Sequence, residues 1–166
     1  ESLINGIYHE KQRLALCAVH ALNNLFQRHV FSSSALDDIA YGLTPQATFS
    51  FNPHKSVWGI GNYDVNVVEK ALDTVGCSLK WLKQTQDVQA LDLDKYVGLL
   101  LNITTIPQNV WQSMKGKISG VDSHWVAVTR ISGVWYDLDS KLPRPRELGG
   151  TAAFREWLRQ QQQAPK

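Results

Sequence analysis

Apolar residues recur at helical spacing in the first half of the chain, whereas β-branched and aromatic runs dominate the second half. In the first helical stretch, the apolar face consists of Ala18, Ala21, Leu22, Leu25 and Phe26. A period of about 3.6 predicts a helix, and short apolar runs predict strands. The pattern predicts helices at 16–27, 34–41, 65–75 and 151–160, strands at 78–82 and 96–102, and a hairpin at 124–139.

The hairpin is predicted with a defined register. Ser132-Gly133 separates two β-branched and aromatic runs, which is typical of a two-residue turn. In that register Ile131 faces Val134, and His124 has Asp139 as its diagonal neighbour. Asp137 projects to the same side but lies farther from the imidazole.

The order of the elements predicts the fold class. Helices come first and antiparallel strands follow, which favours an α+β domain with the helices packed on a mostly antiparallel sheet. The strand at 96–102 is a continuous apolar run and is expected to be central. Asn62 or Asp64 is expected to cap the third helix, and Gly76 to end it. The long segment 44–61 contains Phe49, Phe51 and Trp58, which either pack on the body or help to hold a partner.

Composition and charge exclude several classes of protein. The chain has 166 residues, which fits one domain, and its 43% hydrophobic and 19% charged residues are ordinary for a globular protein. A net charge of +2 does not support binding to nucleic acid or to an anionic membrane. No apolar stretch is long enough for a membrane span, and no signal peptide is visible.

The two cysteines, Cys17 and Cys77, lie in different segments and suggest no disulfide framework. A free thiol fits a reducing compartment, so we expect an intracellular protein, of the cytoplasm or the nucleus. The histidines are scattered, so neither a metal site nor a cofactor is expected.

Cys17 is the strongest candidate for chemistry. It begins the first predicted helix, where unpaired N–H groups and the helix dipole stabilise a thiolate. Gln12 lies five residues earlier and is placed to donate its amide N–H to an oxyanion, together with the Cys17 backbone N–H. The alternative is that Cys17 is simply a small buried apolar residue.

His124 is the candidate base and Asp139 the candidate that orients it. A carboxylate on one imidazole nitrogen fixes the tautomer and leaves the other nitrogen for the thiol. Each residue also has a structural alternative, since His124 begins a strand and Asp139 can cap the turn at Ser140. The combination of Cys, His and Asp is what favours catalysis.

Longer motifs surround these residues. Tyr8-His9-Glu10-Lys11-Gln12 and Leu16-Cys17-Ala18-Val19-His20-Ala21-Leu22-Asn23-Asn24 resemble the opening of a Josephin domain. The resemblance extends through Gly61-Asn62-Tyr63-Asp64-Val65-Asn66-Val67, His124-Trp125 and Leu138-Asp139-Ser140-Lys141-Leu142, over residues 8 to about 160. These motifs are specific, and the match is to the short, stand-alone Josephin proteins.

The resemblance implies a papain-like cysteine protease fold and the removal of ubiquitin from proteins. It implies Cys17 as nucleophile, His124 as base, Asp139 as orienting residue and Gln12 as oxyanion-hole amide. Some members of the family have Asn at the position of Asp139, and either side chain accepts from the imidazole. Ubiquitin and ubiquitinated proteins are therefore the expected partners, and no cofactor is required.

Two alternatives from other classes remain at this point. One is a ubiquitin-binding module with little turnover, although such a module has no need of all four residues. The other is a different Cys-His-Asp acyl-transfer enzyme, transglutaminase-like or bacterial peptidase-like. Those enzymes share the residue order but not the Gln12–Cys17 spacing joined to Asn23-Asn24.

The end of the chain departs from the Josephin pattern. Josephin domains usually continue from the last helix into a final apolar strand, whereas this sequence ends in four glutamines followed by Ala164-Pro165-Lys166. We therefore expect one catalytic domain over residues 1–166, lacking that strand and ending in a frayed tail at 160–166.

Overall fold

The computed structural model describes residues 3–13, 16–43, 63–104 and 123–163. They form helices and antiparallel strands, so the predicted α+β class is confirmed. The helices are α1 (Cys17–Leu25), α2 (Ser33–Leu43), α3 (Val65–Thr74) and α4 (Thr151–Gln163). The strands are β1 (Leu3–Ile4), β2 (Ile7–Tyr8), β3 (Gly98–Thr104), β4 (Ser123–Ile131), β5 (Val134–Asp137) and β6 (Arg146–Gly149).

The main sheet has the strand order β3-β4-β5-β6, with each neighbouring pair antiparallel. The β4–β5 pairing has Ile131 opposite Val134 and Val128 opposite Asp137, so the predicted register is confirmed. Ser132 and Gly133 both have positive φ, at 48° and 86°. Two such residues suit the type I′ turn, whose twist matches that of the strands it joins. The register places the end of β5 beside the start of β4.

Helices cover both faces of the sheet. Trp125 and Ala127 of β4 pack in one core with α1, α2 and α3, while Val128 packs in a second core with α4. This division follows from the alternation of side chains along a strand. We call these cores the α1 core and the α4 core.

The close approach of α1 to the sheet requires a glycine in β3. A Cβ atom at Gly98 would lie 2.5 Å from the Val128 carbonyl oxygen and 2.7 Å from Leu25 Cδ1. Any side chain at this position would therefore collide with the backbone of β4 and displace the Leu25 side chain of α1.

Local capping residues set the ends of α3. The carboxylate of Asp64 accepts from the backbone N–H groups of Asn66 and Val67, which identifies Asp64 as the cap. The helix ends at Thr74, and Gly76 follows with φ of 73°. The segment 44–61, with Phe49, Phe51 and Trp58, lies outside the described residues.

Several predicted elements were wrong. Residues 78–82 form no strand, because their apolar positions are too few to distinguish a strand from an extended connection. The strand predicted at 96–102 runs from Gly98 to Thr104 and lies at the edge of the described sheet, not at its centre. The strands β1, β2 and β6 were not predicted; β6 follows a proline-rich stretch and has one strongly apolar residue, Leu148.

The last helix, α4, continues past the predicted end at 160 and ends at Gln163. The Gln162 side chain donates to the carbonyls of Lys83 and Gln86 at 3.1 Å each, and Gln84 donates to the Gln162 carbonyl at 3.0 Å. These contacts with residues 83–86 hold the last turn in place. Residues 164–166 lie outside the described ranges.

Candidate active site

The first helix begins at the candidate nucleophile. Cys17 is the first residue of α1, as predicted, and Leu16 before it has no polar side-chain atom with which to cap the helix. The thiol is buried and in no disulfide. The N–H groups of the first turn are therefore directed towards the end of the helix where the sulfur lies.

His124 connects Cys17 with Asp139. Its Nε2 donates to Asp139 Oδ1 over 2.6 Å, and its side chain is hydrogen-bonded to that of Cys17. Since Nε2 is used by Asp139, Nδ1 is the nitrogen left for the thiol. The hairpin and the N-terminus of α1 thus bring together three of the four residues predicted from the sequence.

The surroundings of His124 and Asp139 favour a protonated imidazole beside an ionised carboxylate. Burial lowers the pKa of His124, but the hydrogen bonds with Asp139 and Cys17 outweigh it and raise the pKa to about 9. Burial raises the pKa of Asp139, but the bonds from His124 and the Lys141 backbone N–H hold it below its usual value. Asp139 is therefore ionised and His124 retains a proton at neutral pH.

Asp137 has a different role from Asp139. Its Oδ1 accepts from the Asp139 backbone N–H at 2.9 Å, and its Oδ2 pairs with Arg146 of β6. Asp137 is buried and fixes the end of β5. The sequence-based preference for Asp139 as the partner of His124 agrees with this geometry.

Gln12 lies on a segment that passes beside the turn containing Asp139. We call residues 9–13 the N-terminal arm and residues 138–140 the Asp139 turn. The Gln12 backbone N–H donates to the Ser140 carbonyl at 2.7 Å. A cleft of about 550 Å³ lies here, lined by Lys11, Gln12, Ser140, Lys141, Leu142 and Pro143. The arm therefore places Gln12 beside the Asp139 turn at an open surface.

Comparison with known proteins shows the family to which the chain belongs. The family model described as Josephin matches residues 12–165. The chain belongs to the Josephin family. It is 41% identical over 152 residues to human Josephin-2, covering 92% of this chain and 78% of that protein.

This chain covers a smaller share of two further relatives, and one of them is also less similar in sequence. A Josephin-like protein of Drosophila melanogaster is 42% identical over 160 residues, covering 96% of this chain and 70% of the relative. Human ataxin-3 is 28% identical over 175 residues, which span 95% of this chain but only 44% of ataxin-3. Membership of the Josephin family brings with it the papain-like fold inferred from the motifs.

A partly buried carboxylate fixes the N-terminal arm of this Josephin domain to α1. Glu10 accepts from His20 Nδ1 at 2.7 Å and from Asn23 Nδ2 at 3.1 Å, and also from Tyr8 and His29. Burial raises the pKa of Glu10, but these hydrogen bonds outweigh it and lower the pKa to about 2. His20 is buried, and its bond to Glu10 gives it a structural role.

Asn24 joins the N-terminal arm, α1 and the Asp139 turn. Its side chain accepts from the Glu10 backbone N–H at 2.6 Å and donates to the carbonyls of Glu10 and Leu138, at 3.3 and 3.0 Å. Asn24 is fully buried on α1 and therefore links the arm, the helix and the Asp139 turn. Sequence reasoning assigned no role to Glu10 or Asn24; the signal that could have found them is a pair of amides within an otherwise apolar helix.

The described residues also bear on metal binding and on membrane insertion. They contain no group of three or more His, Cys, Asp or Glu side chains placed to hold one metal ion. Every helix within the described ranges is too short or too polar to cross a bilayer.

Proposed function

We propose that the protein is a thiol-dependent deubiquitinase that hydrolyses the isopeptide bond after the C-terminal glycine of ubiquitin. The observation that carries this proposal is the His124 ring, which bonds the Cys17 side chain on one side and the Asp139 carboxylate on the other. A nucleophile, a base and an orienting group within hydrogen-bond reach constitute the arrangement that covalent catalysis needs. The choice of ubiquitin rests on membership of the Josephin family.

The first half of the proposed reaction forms a thioester. His124 holds the proton given up by the Cys17 thiol, so the sulfur adds as a thiolate to the carbonyl carbon of the terminal glycine. The Gln12 side-chain amide and the Cys17 backbone N–H stabilise the oxyanion. When the C–N bond breaks, the lysine amine leaves with the proton from His124.

The second half regenerates the enzyme. Neutral His124 takes a proton from water, and the resulting hydroxide attacks the thioester carbonyl. The C–S bond breaks, ubiquitin leaves as its carboxylic acid and releases that proton to the solvent, and the Cys17 thiolate is left beside protonated His124, as before the first step. No cofactor or metal enters this sequence. A narrow cleft that rejects side chains would select the two glycines that end ubiquitin.

The test is hydrolysis of ubiquitin carrying a C-terminal fluorophore, together with ubiquitin binding, for the wild type, Cys17→Ala and Cys77→Ala. We expect the wild type and Cys77→Ala to turn over, since Cys77 is a free cysteine outside the site. Cys17→Ala should lose turnover and keep its affinity for ubiquitin.

Other outcomes identify the alternatives. Binding without hydrolysis by the wild type would indicate a ubiquitin-binding module. Neither binding nor hydrolysis would point to a different acyl-transfer enzyme. Residual hydrolysis by Cys17→Ala within about tenfold of the wild type would contradict the assigned nucleophile, since removing a nucleophile costs far more.

A further inference from the structure

Three consecutive carbonyls of the Asp139 turn each accept a hydrogen bond from a distant part of the chain. The Leu138 carbonyl accepts from Asn24, the Asp139 carbonyl from His9 Nε2 at 3.0 Å, and the Ser140 carbonyl from the Gln12 N–H. The turn is therefore held from outside at every residue, by α1 and by the N-terminal arm.

Among the three donors to the turn, His9 is unusual because one of its ring nitrogens is buried without a partner in the described part of the chain. Its side chain is 1% exposed, and Nε2 must carry the proton because a carbonyl oxygen can only accept. The other ring nitrogen, Nδ1, is buried with no hydrogen-bond partner among the described residues. A buried polar atom without a partner destabilises a fold, so such an atom calls for an explanation.

We propose that His9 is a positioning residue for catalysis, retained because its Nε2–H holds the backbone of Asp139 so that the Asp139 carboxylate stays on His124. This inference rests on the proposed function. It assigns His9 no contact with substrate and no proton transfer.

The remaining contacts of the turn explain why this bond matters. The Asp139 carbonyl also accepts from the Leu142 N–H at 2.9 Å, and the Asp139 carboxylate accepts from the Lys141 N–H at 2.8 Å. Both bonds lie within the segment that follows the turn, so they move with it. The bond from His9 instead fixes Asp139 itself to the arm. A displacement of about 1 Å in a catalytic group can cost about 10²-fold in rate.

The test compares His9→Leu with His9→Gln. Leucine fills the space, removes the unpartnered Nδ1 and removes the donor, whereas glutamine keeps an N–H donor at a similar distance along the side chain. We expect His9→Leu to unfold near the wild-type Tm but to lose about 10²-fold in kcat with little change in KM. His9→Gln should recover part of that loss.

The titration of His124, followed by NMR, gives a readout that a purely structural role would not change. The groups that act on this ring are Asp139, Cys17 and Lys141, and the bond from Asp139 is the strongest contribution that raises its pKa. In His9→Leu we expect that pKa to fall from about 9 towards 6.5. In His9→Gln it should fall less.

Val88→Ala serves as the control for stability, because Val88 is buried in the α4 core. The proposal is overturned if His9→Leu and Val88→Ala lose activity in the same proportion to their Tm, or if His124 titrates unchanged in His9→Leu. Failure of the proposed function is a separate result. If the wild type does not hydrolyse ubiquitin conjugates, the His124 titration still decides whether His9 positions Asp139.

Discussion

The two faces of the sheet are stabilised by different interactions. The α4 core is apolar and aromatic, with the Trp135 and Phe154 rings stacked at 3.8 Å between centroids and 8° between planes. The α1 core contains apolar residues too, but polar side chains lie beside it: His9, His20, Asn23 and Asn24, which are buried, and Glu10, which is partly buried. Apolar burial is non-directional, whereas hydrogen bonds depend steeply on distance and angle.

The position of the candidate site explains this difference. Cys17, His124 and Asp139 come from α1, β4 and the turn after β5, and their sequence separation is large. Directional hydrogen bonds between side chains and backbone, such as that from Asn24 to Leu138, fix such a group more closely than apolar contacts do. Substitutions on the α1 face should therefore change turnover, and substitutions on the α4 face should change stability.

Among the substitutions that test this difference between the two faces, we expect Asp139→Ala to lower turnover the most. Asp139→Ala removes the bond that raises the pKa of His124, so the ring loses its proton at lower pH. The alkaline limb of kcat/KM should move from near 9 towards 6.5, and kcat should fall about 10³–10⁴-fold. The measurement is the pH profile on the ubiquitin–fluorophore substrate.

Two matched variants control for this effect. Asp139→Asn should do less harm, because Oδ1 alone accepts from both His124 and the Lys141 N–H and an amide oxygen keeps both bonds. Asp137→Ala should act mainly on Tm, because it removes a buried carboxylate that pairs with Arg146 of β6, while the bond from His9 still holds Asp139. A severe loss of kcat in Asp137→Ala at unchanged Tm would refute the assignment of roles.

The second effect is expected at Gln12. Removing one donor to an oxyanion typically lowers kcat by about 10²–10³-fold. Gln12→Ala should show that loss while Cys17 is alkylated by iodoacetamide at nearly the wild-type rate, since alkylation forms no oxyanion. If alkylation falls as steeply as turnover, Gln12 supports the fold and not the oxyanion.

A third variant tests the opposite face. Phe154→Ala deletes a fully buried ring of the α4 core and should destabilise the protein by about 3–5 kcal/mol. Below its transition temperature, kcat per folded molecule should equal that of the wild type. A large loss of kcat in the folded protein would mean that the two faces are not independent.

The smallest effect concerns Glu10 and appears only with pH. The folded pKa of Glu10, about 2, lies below its ordinary value of 4.5, so the ionised form stabilises the fold above pH 4.5, and that contribution is lost as pH falls towards 2. Glu10→Gln should be less stable than the wild type at pH 7, and the difference should shrink between pH 5 and 2. Urea midpoints measured across this range test it; a constant difference would contradict it.

Sequence reasoning succeeded where local chemistry determines the structure. Ser132-Gly133 defines the turn and thereby the β4–β5 register, which in turn brings Asp139 to His124. The Asp64 cap and the thiol at the start of α1 are equally local signals. Local signals of this kind are sufficient to name the catalytic candidates.

The missed features depend on contacts between distant residues. The strand β6 forms because β5 offers an edge to pair with, although its own sequence is poor in apolar residues. The bond from His9 to Asp139 joins residues 130 positions apart, and nothing in the spacing of either residue predicts it. Periodicity reports burial, and it does not report which buried polar groups meet.

The central claim is that Cys17 is the group that attacks the ubiquitin terminus, and one covalent experiment tests it most directly. Ubiquitin carrying a C-terminal electrophile is mixed with the protein, and the modified cysteine is located by peptide mass mapping. We predict one adduct per molecule, at Cys17, formed equally by Cys77→Ala and lost in Cys17→Ala. An adduct at Cys77, or none with a folded wild-type protein, would contradict the account.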